Sequence, residues 1–367
     1  MGMLADRVDY VIGVDTHRDA HTVAVCTPTG AVIAETTVVA DAYGYKRLLG
    51  FAREQAAGRR VWAIEGTGSF GAGLTAFLVE QTEWVVEVDR PARPARRNGA
   101  KSDQLDAARA ANEALSRRHL AQPRRRGNRE ALRVLLATRE GAILARTQAV
   151  GQLKALIINA PDQLRQQLRQ LTTHGQLHRC SRLRTSPAHS TELRATILAL
   201  RSTARRAIAL TTEAGELESE LHQLVHALAP TLLAEPGVGP ITAAQLLSSW
   251  SHPGRFRSEA AFASLAGAAP IPASSGQVTR HRLNRGGDRQ LNRALHTIAL
   301  SRLGHHQETK RYAARRQAEG KTPREIRRCL KRHLARRLYR ILEATSKGAG
   351  NPAFVNHQRS RTIGPCS

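Results

Sequence analysis

Twice in the first 65 residues an apolar, β-branched run ends on an acid: residues 9–15 read DYVIGVD and residues 60–65 read RVWAIE. Runs this short and this apolar predict buried strands, each with a carboxylate at its end. Between them, residues 21–27 (HTVAVCT) alternate like a strand, Pro28-Thr29-Gly30 turns the chain, and 31–39 (AVIAETTVV) reads as a third strand. Tyr45, Leu48, Leu49 and Ala52 give 41–57 helical spacing. Residues 70–81 are helical as well, and 84–89 (WVVEVD) form a fifth strand. After a Pro/Arg linker, Ser102 is placed to cap a helix that starts at Asp103.

The predicted order is β-β-β-α-β-α-β-linker-α. Three meandering strands followed by alternating units match a ribonuclease H-like layout, and the plainer alternative is some other α/β sheet domain. In that layout the strands ending at Asp15 and Glu65 are neighbours, so their carboxylates converge at one sheet end. Asp103 and Asp106 are three residues apart and share a helix face. Four clustered carboxylates repel one another and need divalent cations between them. Oxygen ligands select Mg²⁺, with Mn²⁺ as the alternative. Two such ions about 3.5–4 Å apart stabilise both the attacking and the leaving oxygen at a phosphate. Taken singly, a strand-end Asp is ordinarily structural, and Asp103 and Asp106 are ordinary acids of a helix N-terminus. The ordered set of four is what points to metal. Asp19 and Asp89 are read as surface residues.

The charge is uneven. Residues 1–90 hold 8 Lys/Arg and 12 Asp/Glu, whereas 91–367 hold 48 and 18, so a net −4 precedes a net +30. A surplus of that size calls for a polyanion, nucleic acid by default. Aromatics make up only 4% of the chain, which argues against binding single strands mainly by stacking. Asp6, Arg7 and Asp9 exclude a secretory h-region, and the longest uncharged run, 260–279, contains Pro270 and Pro272, so no membrane span is expected. Four widely spaced cysteines exclude a zinc ribbon and a disulfide framework and fit a reducing cytoplasm.

Residues 91–130 are a basic connector, either simply solvated or touching nucleic acid. A helical stripe of Leu132, Leu136, Ile143, Val150, Leu153 and Ile157 carries Arg139 and Arg146 at seam positions, free to pair with acids or with phosphate. A second long helix, 191–228, has a heptad seam of Leu210, Ala214, Leu217, Leu221, Leu224 and Leu228. Residues 161–190 between them show no periodicity. Two long helices predict an antiparallel arm, packed within the chain or against a second copy. Residues 232–247 (LLAEPGVGPITAAQLL) read as a helix-hairpin-helix whose Gly237 and Gly239 allow close approach to a phosphate, or as a plain helical hairpin. Next, Ser274-Ser275-Gly276 is followed by Arg280, Arg282, Arg285, Arg289 and Arg293, and Gly286-Gly287 is expected to begin a helix reaching Ser301. On composition alone that serine pair is an ordinary loop. A hydroxyl beside a flexible Gly and facing several arginines is nonetheless of a kind suited to attack on phosphate. Residues 323–340 form a basic helix with Ile326, Leu330, Leu334 and Leu338 on one face, and the end of the chain is loose.

Together, GVDTH with Asp15, AIEGTG with Glu65, KSDQLDA with Asp103 and Asp106, PGVGPITAAQLL, and GAAPIPASSG followed by NRGGDRQLNRAL resemble the bridge-RNA-guided DEDD transposases of bacterial insertion sequences, the "one-ten" family. The resemblance covers roughly residues 9–345. It implies a RuvC-like DEDD catalytic domain (1–120), a coiled-coil helical arm (121–228), and a mainly helical C-terminal transposase domain with helix-hairpin-helix and catalytic serine (229–345). Residues 346–367 are a disordered tail with no family role. It implies a metal-binding tetrad of Asp15, Glu65, Asp103 and Asp106. It also implies a catalytic serine directly before a Gly, which is Ser275 with Ser274 as the fallback; on the residues alone, the hairpin glycines Gly237 and Gly239 and the arginines Arg280, Arg282, Arg285 and Arg289 are the expected nucleic-acid contacts. The expected activity is RNA-guided DNA recombination through a covalent serine intermediate and a Holliday-junction-like stage. The expected partners are donor and target DNA and a structured guide RNA that reads sequence by pairing. A dimer assembling to a tetramer would share active sites, and the expected setting is the bacterial cytoplasm at the nucleoid. The rival readings are a hydrolytic nuclease of the Holliday-junction-resolvase kind, which needs no serine, and a non-catalytic nucleic-acid binder.

Overall fold

The structure, a computed structural model, describes residues 3–88, 103–118, 120–272, 281–282 and 287–348, without the side chains of 272, 281–282 and 346–348. It divides into two compact units, residues 1–126 with 251–257, and residues 127–250 with 258–367.

The first unit is built on a five-stranded mixed sheet. In chain order it comprises β1 (Tyr10–Thr16), β2 (Ala20–Cys26), β3 (Val32–Val39), α1 (Ala42–Gln55), β4 (Arg60–Glu65), α2 (Ala72–Glu80), β5 (Val85–Val88) and α3 (Asp103–Ser116). The spatial order is β3-β2-β1-β4-β5; β1, β2 and β3 pair antiparallel, and β4 runs parallel to both β1 and β5. The β1–β4 neighbourhood expected from the sequence is present, with Val14 opposite Ile64. The two acid-ended runs are continuous in apolar residues because both faces of the sheet are covered. Ile12, Val14, Val23, Trp62 and Ile64 pack with Leu48, Leu49, Leu74 and Leu78 of α1 and α2. Val11, Ala24, Val61 and Ala63 pack with Ala107, Ala110, Ala111 and Ala114 of α3. Each fully buried large side chain contributes roughly 1.5–3 kcal/mol. The α3 face uses alanine because the helix backbone itself approaches the sheet. A Cβ on Gly13 would lie 2.0 Å from the Ala107 carbonyl oxygen.

Residues 251–257 complete this unit. The Glu87 amide of β5 donates to the Ala121 carbonyl at 2.8 Å, and its carboxylate meets Arg124 at 3.4 Å and Arg255 at 3.3 Å. His252 lies between the carbonyls of Pro123 (3.2 Å) and Pro253 (2.9 Å). Arg255 and Glu87 are both nearly buried, so each charge depends on the other.

The described residues of the second unit are mostly helical. Its two longest helices are α4 (Asn128–Ile158) and α7 (Thr191–Leu228). They run antiparallel: Arg139 pairs with Glu218 at 2.8 Å, and Arg146 donates to the Thr211 hydroxyl at 2.8 Å. Both seam arginines are thus satisfied within the chain. Two short helices, α5 (Asp162–Arg169) and α6 (Thr173–Ser181), occupy the stretch where the sequence shows no periodicity; they bury Leu168, Leu177 and Cys180 against Leu200, Ala204 and Ala207. Beyond them come α8 (Pro230–Leu233), α9 (Pro240–Trp250), α10 (Glu259–Leu265), a two-residue pair β6 (Ile271–Pro272) and β7 (His281–Arg282), then α11 (Arg289–His305), α12 (Gln307–Ala318) and α13 (Pro323–Gly348). One expectation is corrected. The helix expected to begin at Gly286-Gly287 begins at Arg289, because Asp288 Oδ1 accepts from the amides of Gln290 and Leu291 at 3.0 Å and so fixes the cap. Among the described residues, no helix is long and apolar enough to cross a membrane.

Candidate metal centre

Three elements bring the acids to one end of the sheet. Successive residues of a strand face opposite sides, so Asp15 follows Val11 and Gly13 onto the α3 face, and Glu65 follows Val61 and Ala63 onto the same face. The strand ends are tied together, since the Thr16 hydroxyl donates to the Glu65 carbonyl at 3.0 Å. Helix α3 starts at this end, with Asp103 and Asp106 in its first turn. One donor atom each of Asp15, His17 and Asp103 lie within 4.8 Å of one another, and His17 Nδ1 is 3.6 Å from Asp15 Oδ2. Among the described residues, no other three His, Cys, Asp or Glu side chains come so close. Two carboxylates and an imidazole are a donor set that fits a divalent cation.

Not every predicted residue enters this cluster. Glu65 stands on the neighbouring strand end, and Asp106 forms an ion pair with Arg109 at 2.6 Å. Asp19, read as a surface residue, is exposed and paired with Arg18 at 3.0 Å. His17 is the residue that the acid pattern misses. A metal-ligating side chain two positions after a strand-terminal acid is the signal that could have found it.

In the second unit, Gly237 has a φ of +77° and its Cα packs against α11, where a Cβ would sit 3.1 Å from the Ile298 carbonyl oxygen. Open space lies beside Gly239, and its amide meets the Thr242 hydroxyl at 3.0 Å. The turn is held from beneath by Arg302, which donates to the Pro236 carbonyl and to Glu235, both at 2.7 Å. Arg337 and Arg302 keep the Glu235 carboxyl below its usual value. Ser275, Ser274, Arg280 and Arg285 lie outside the described residues, as does the side chain of Arg282. Arg289 opens α11 and is exposed. The chain leaves at Gly267 and returns at Gly287 with its feet side by side. The Asp288 amide donates to the Leu265 carbonyl at 2.7 Å, Asn292 donates to the Ala266 carbonyl at 2.6 Å, and buried Lys331 donates to Asn292 Oδ1 at 2.8 Å.

Two family models match this chain. A DEDD transposase model of the IS110 type matches residues 12–161, the span that holds all four acids, and a model described as the IS116/IS110/IS902 transposase family matches residues 229–314. Among curated proteins, the chain is similar to an uncharacterized 43.6 kDa protein of insertion element IS110 from Streptomyces coelicolor. The two are 38% identical over 109 residues, 29% of this chain and 27% of that protein. It is also similar to an uncharacterized 42 kDa protein of insertion element IS900 from Mycobacterium paratuberculosis, 26% identical over 84% of this chain and 89% of that protein. The chain thus matches about a quarter of the first relative's length and most of the second's.

Proposed function

The chain belongs to the DEDD transposases of the IS110 type, and from that premise we propose that it is an RNA-guided DNA recombinase that moves its own insertion element. The observation that carries the proposal is the convergence of Asp15 and Asp103 at one end of the β1–β4 sheet, inside the span matched by the DEDD model. In this reading Asp15, Glu65, Asp103 and Asp106 hold Mg²⁺, or Mn²⁺ in its place. The bound cations supply Lewis-acid activation of the scissile phosphate and shield it from the carboxylates.

The protein's own groups supply the rest. The Ser275 hydroxyl attacks phosphorus, the phosphate joins the serine as a 5′-phosphoserine ester, and the 3′ oxygen of the cut strand leaves with a proton. Attack by another strand's 3′ hydroxyl then releases the serine and reseals the backbone. The covalent link keeps the bond energy for rejoining, a need that a hydrolase does not have. Arg280, Arg282, Arg285 and Arg289 neutralise the transferring phosphate, and the turn at Gly237 and Gly239 is a helix-hairpin-helix that holds the DNA backbone from its open Gly239 side. The α4–α7 pair serves as the arm through which copies assemble to a dimer and then a tetramer, and a structured RNA supplies target and donor recognition.

End-labelled DNA, the element's RNA and the purified protein test this together. Asp15→Ala and Asp103→Ala should abolish strand cleavage and leave nucleic-acid binding intact. Ser275→Ala should remove both recombination and a slow-migrating protein–DNA adduct on denaturing gels, and Ser274→Ala should be much milder. Cleavage at the wild-type rate by Ser275→Ala, with no adduct from wild type, would replace the recombinase with a resolvase-like hydrolase.

A further inference from the structure

His17 is the donor that the family's acid tetrad does not contain. We infer that its imidazole is a nitrogen ligand of the cation held by Asp15 and Asp103, and that it makes this centre select Mn²⁺ over Mg²⁺. The inference rests on the metal-site reading above and adds a residue and a selectivity to it.

Geometry places His17 for this. His17 is the first residue past the end of β1, two positions from Asp15, and its side chain lies beside the Asp15 carboxylate. Thr16, between them, is engaged with the Glu65 carbonyl, and the His17 amide donates to the Ala20 carbonyl at 3.1 Å, which fixes its backbone at the turn into β2. Nδ1 is 3.6 Å from Asp15 Oδ2, and the three donors fall within 4.8 Å of one another. Around an octahedral ion with ligands at about 2.1 Å, adjacent donors are about 3 Å apart and opposite donors about 4.2 Å. The set therefore closes onto an ion by shifts of at most about 1–2 Å. The His17 side chain is 51% exposed, so it has room to make that shift. Its neighbour Arg18 pairs with Asp19 at 3.0 Å.

Chemistry supplies the selectivity. Mg²⁺ holds to oxygen ligands and water, whereas imidazole suits transition ions, with affinity rising along the series that starts at Mn²⁺. A nitrogen in the donor set therefore disfavours Mg²⁺ more than Mn²⁺. Losing even an outer-sphere partner of a metal typically costs about 10–100-fold in affinity, so losing a direct ligand costs Mn²⁺ at least about tenfold.

The test titrates the full-length protein with MnCl₂ alone, follows the free ion by electron paramagnetic resonance, and repeats the titration with MgCl₂ as competitor. Pulsed measurements on the bound ion look for coupling to ¹⁴N. Wild type should show directly bound nitrogen and prefer Mn²⁺. His17→Ala should lose the coupling and about tenfold or more in Mn²⁺ affinity while Mg²⁺ affinity changes little. His17→Asp should restore binding with the preference moved toward Mg²⁺. If Asp15→Asn binds Mn²⁺ as wild type does, the metal-site reading fails and this inference with it. If Asp15→Asn removes the ion but wild type shows no ¹⁴N coupling, or His17→Ala keeps the wild-type Mn²⁺ to Mg²⁺ ratio, the metal site stands and His17 is not its ligand.

Discussion

At the scale of single residues, the sheet's other face holds a titratable group that no phosphate chemistry uses. His21 of β2 is fully buried, with its ring stacked on Tyr45 at a centroid distance of 5.8 Å. Burial holds its imidazole below the ordinary value of about 6.5. The unfolded chain therefore takes up a proton near pH 6.5 that the folded chain refuses. Stability is complete above that value and declines as the pH falls through it. His252 acts in the same direction, lowered first by burial and then by the charges of Arg125 and Arg255. His21→Phe keeps a flat ring against Tyr45 and removes the proton. Its urea midpoint should fall less than that of wild type between about pH 7 and about pH 5.5. Equal losses in the two proteins would show that His21 does not titrate on unfolding.

At the scale of elements, the metal-centre geometry depends on how closely α3 lies on β1. Gly13→Ala would drive a methyl into the Ala107 carbonyl, 2.0 Å away, and the Ala111 amide, 2.7 Å away. The helix would have to lift, taking Asp103 from Asp15. We expect a loss of about 1–3 kcal/mol or more by chemical denaturation, together with weakened Mn²⁺ binding. Gly50→Ala in α1, where nothing lies within 4 Å, is the control and should stabilise by about 0.5–1 kcal/mol. A Gly13→Ala protein as stable as wild type would mean that α3 is not held by this contact. These elements also show what a sequence reveals. Strands β1 and β4 are legible because burial on both faces leaves an unbroken apolar run, and the approach of Asp103 to Asp15 follows from the topology. Helices α5 and α6 were not, because each is about two turns long and mostly polar, too short for a stripe to stand out. The start of α11 was misplaced because a pair of glycines looks like a helix entry, whereas the acceptor that sets the cap is the side chain of Asp288. His17 hid because it lies just past the strand's last residue, where the apolar pattern has already ended. The Glu87–Arg255 pair left no local trace, since its partners are 168 residues apart.

At the scale of the whole molecule, an acidic first quarter would repel a phosphate until cations fill its carboxylates, while the remainder attracts the polyanion. Residues 91–367 carry 48 Lys/Arg against 18 Asp/Glu. Affinity for DNA should therefore fall by about 10³–10⁵-fold between roughly 50 and 200 mM salt, the loss expected for six to ten neutralised phosphates. A flat dependence in filter-binding or anisotropy titrations would contradict phosphate-dominated binding. The first unit also has a property of time. It takes in residues 251–257, so its last residue, Arg257, comes 131 positions after the end of its main segment, Arg126. At about 5–20 residues per second, a ribosome needs roughly 7–26 s to cross that gap. Until then, Glu87 waits without Arg255 and Pro123 without His252. The unit that houses the candidate metal centre, though first to be started, is finished only after α4 to α9 have been synthesised. A nascent chain broken off anywhere among those helices would carry the acids but not the segment that closes their domain, so premature products should be poorly folded rather than active as stray nucleases.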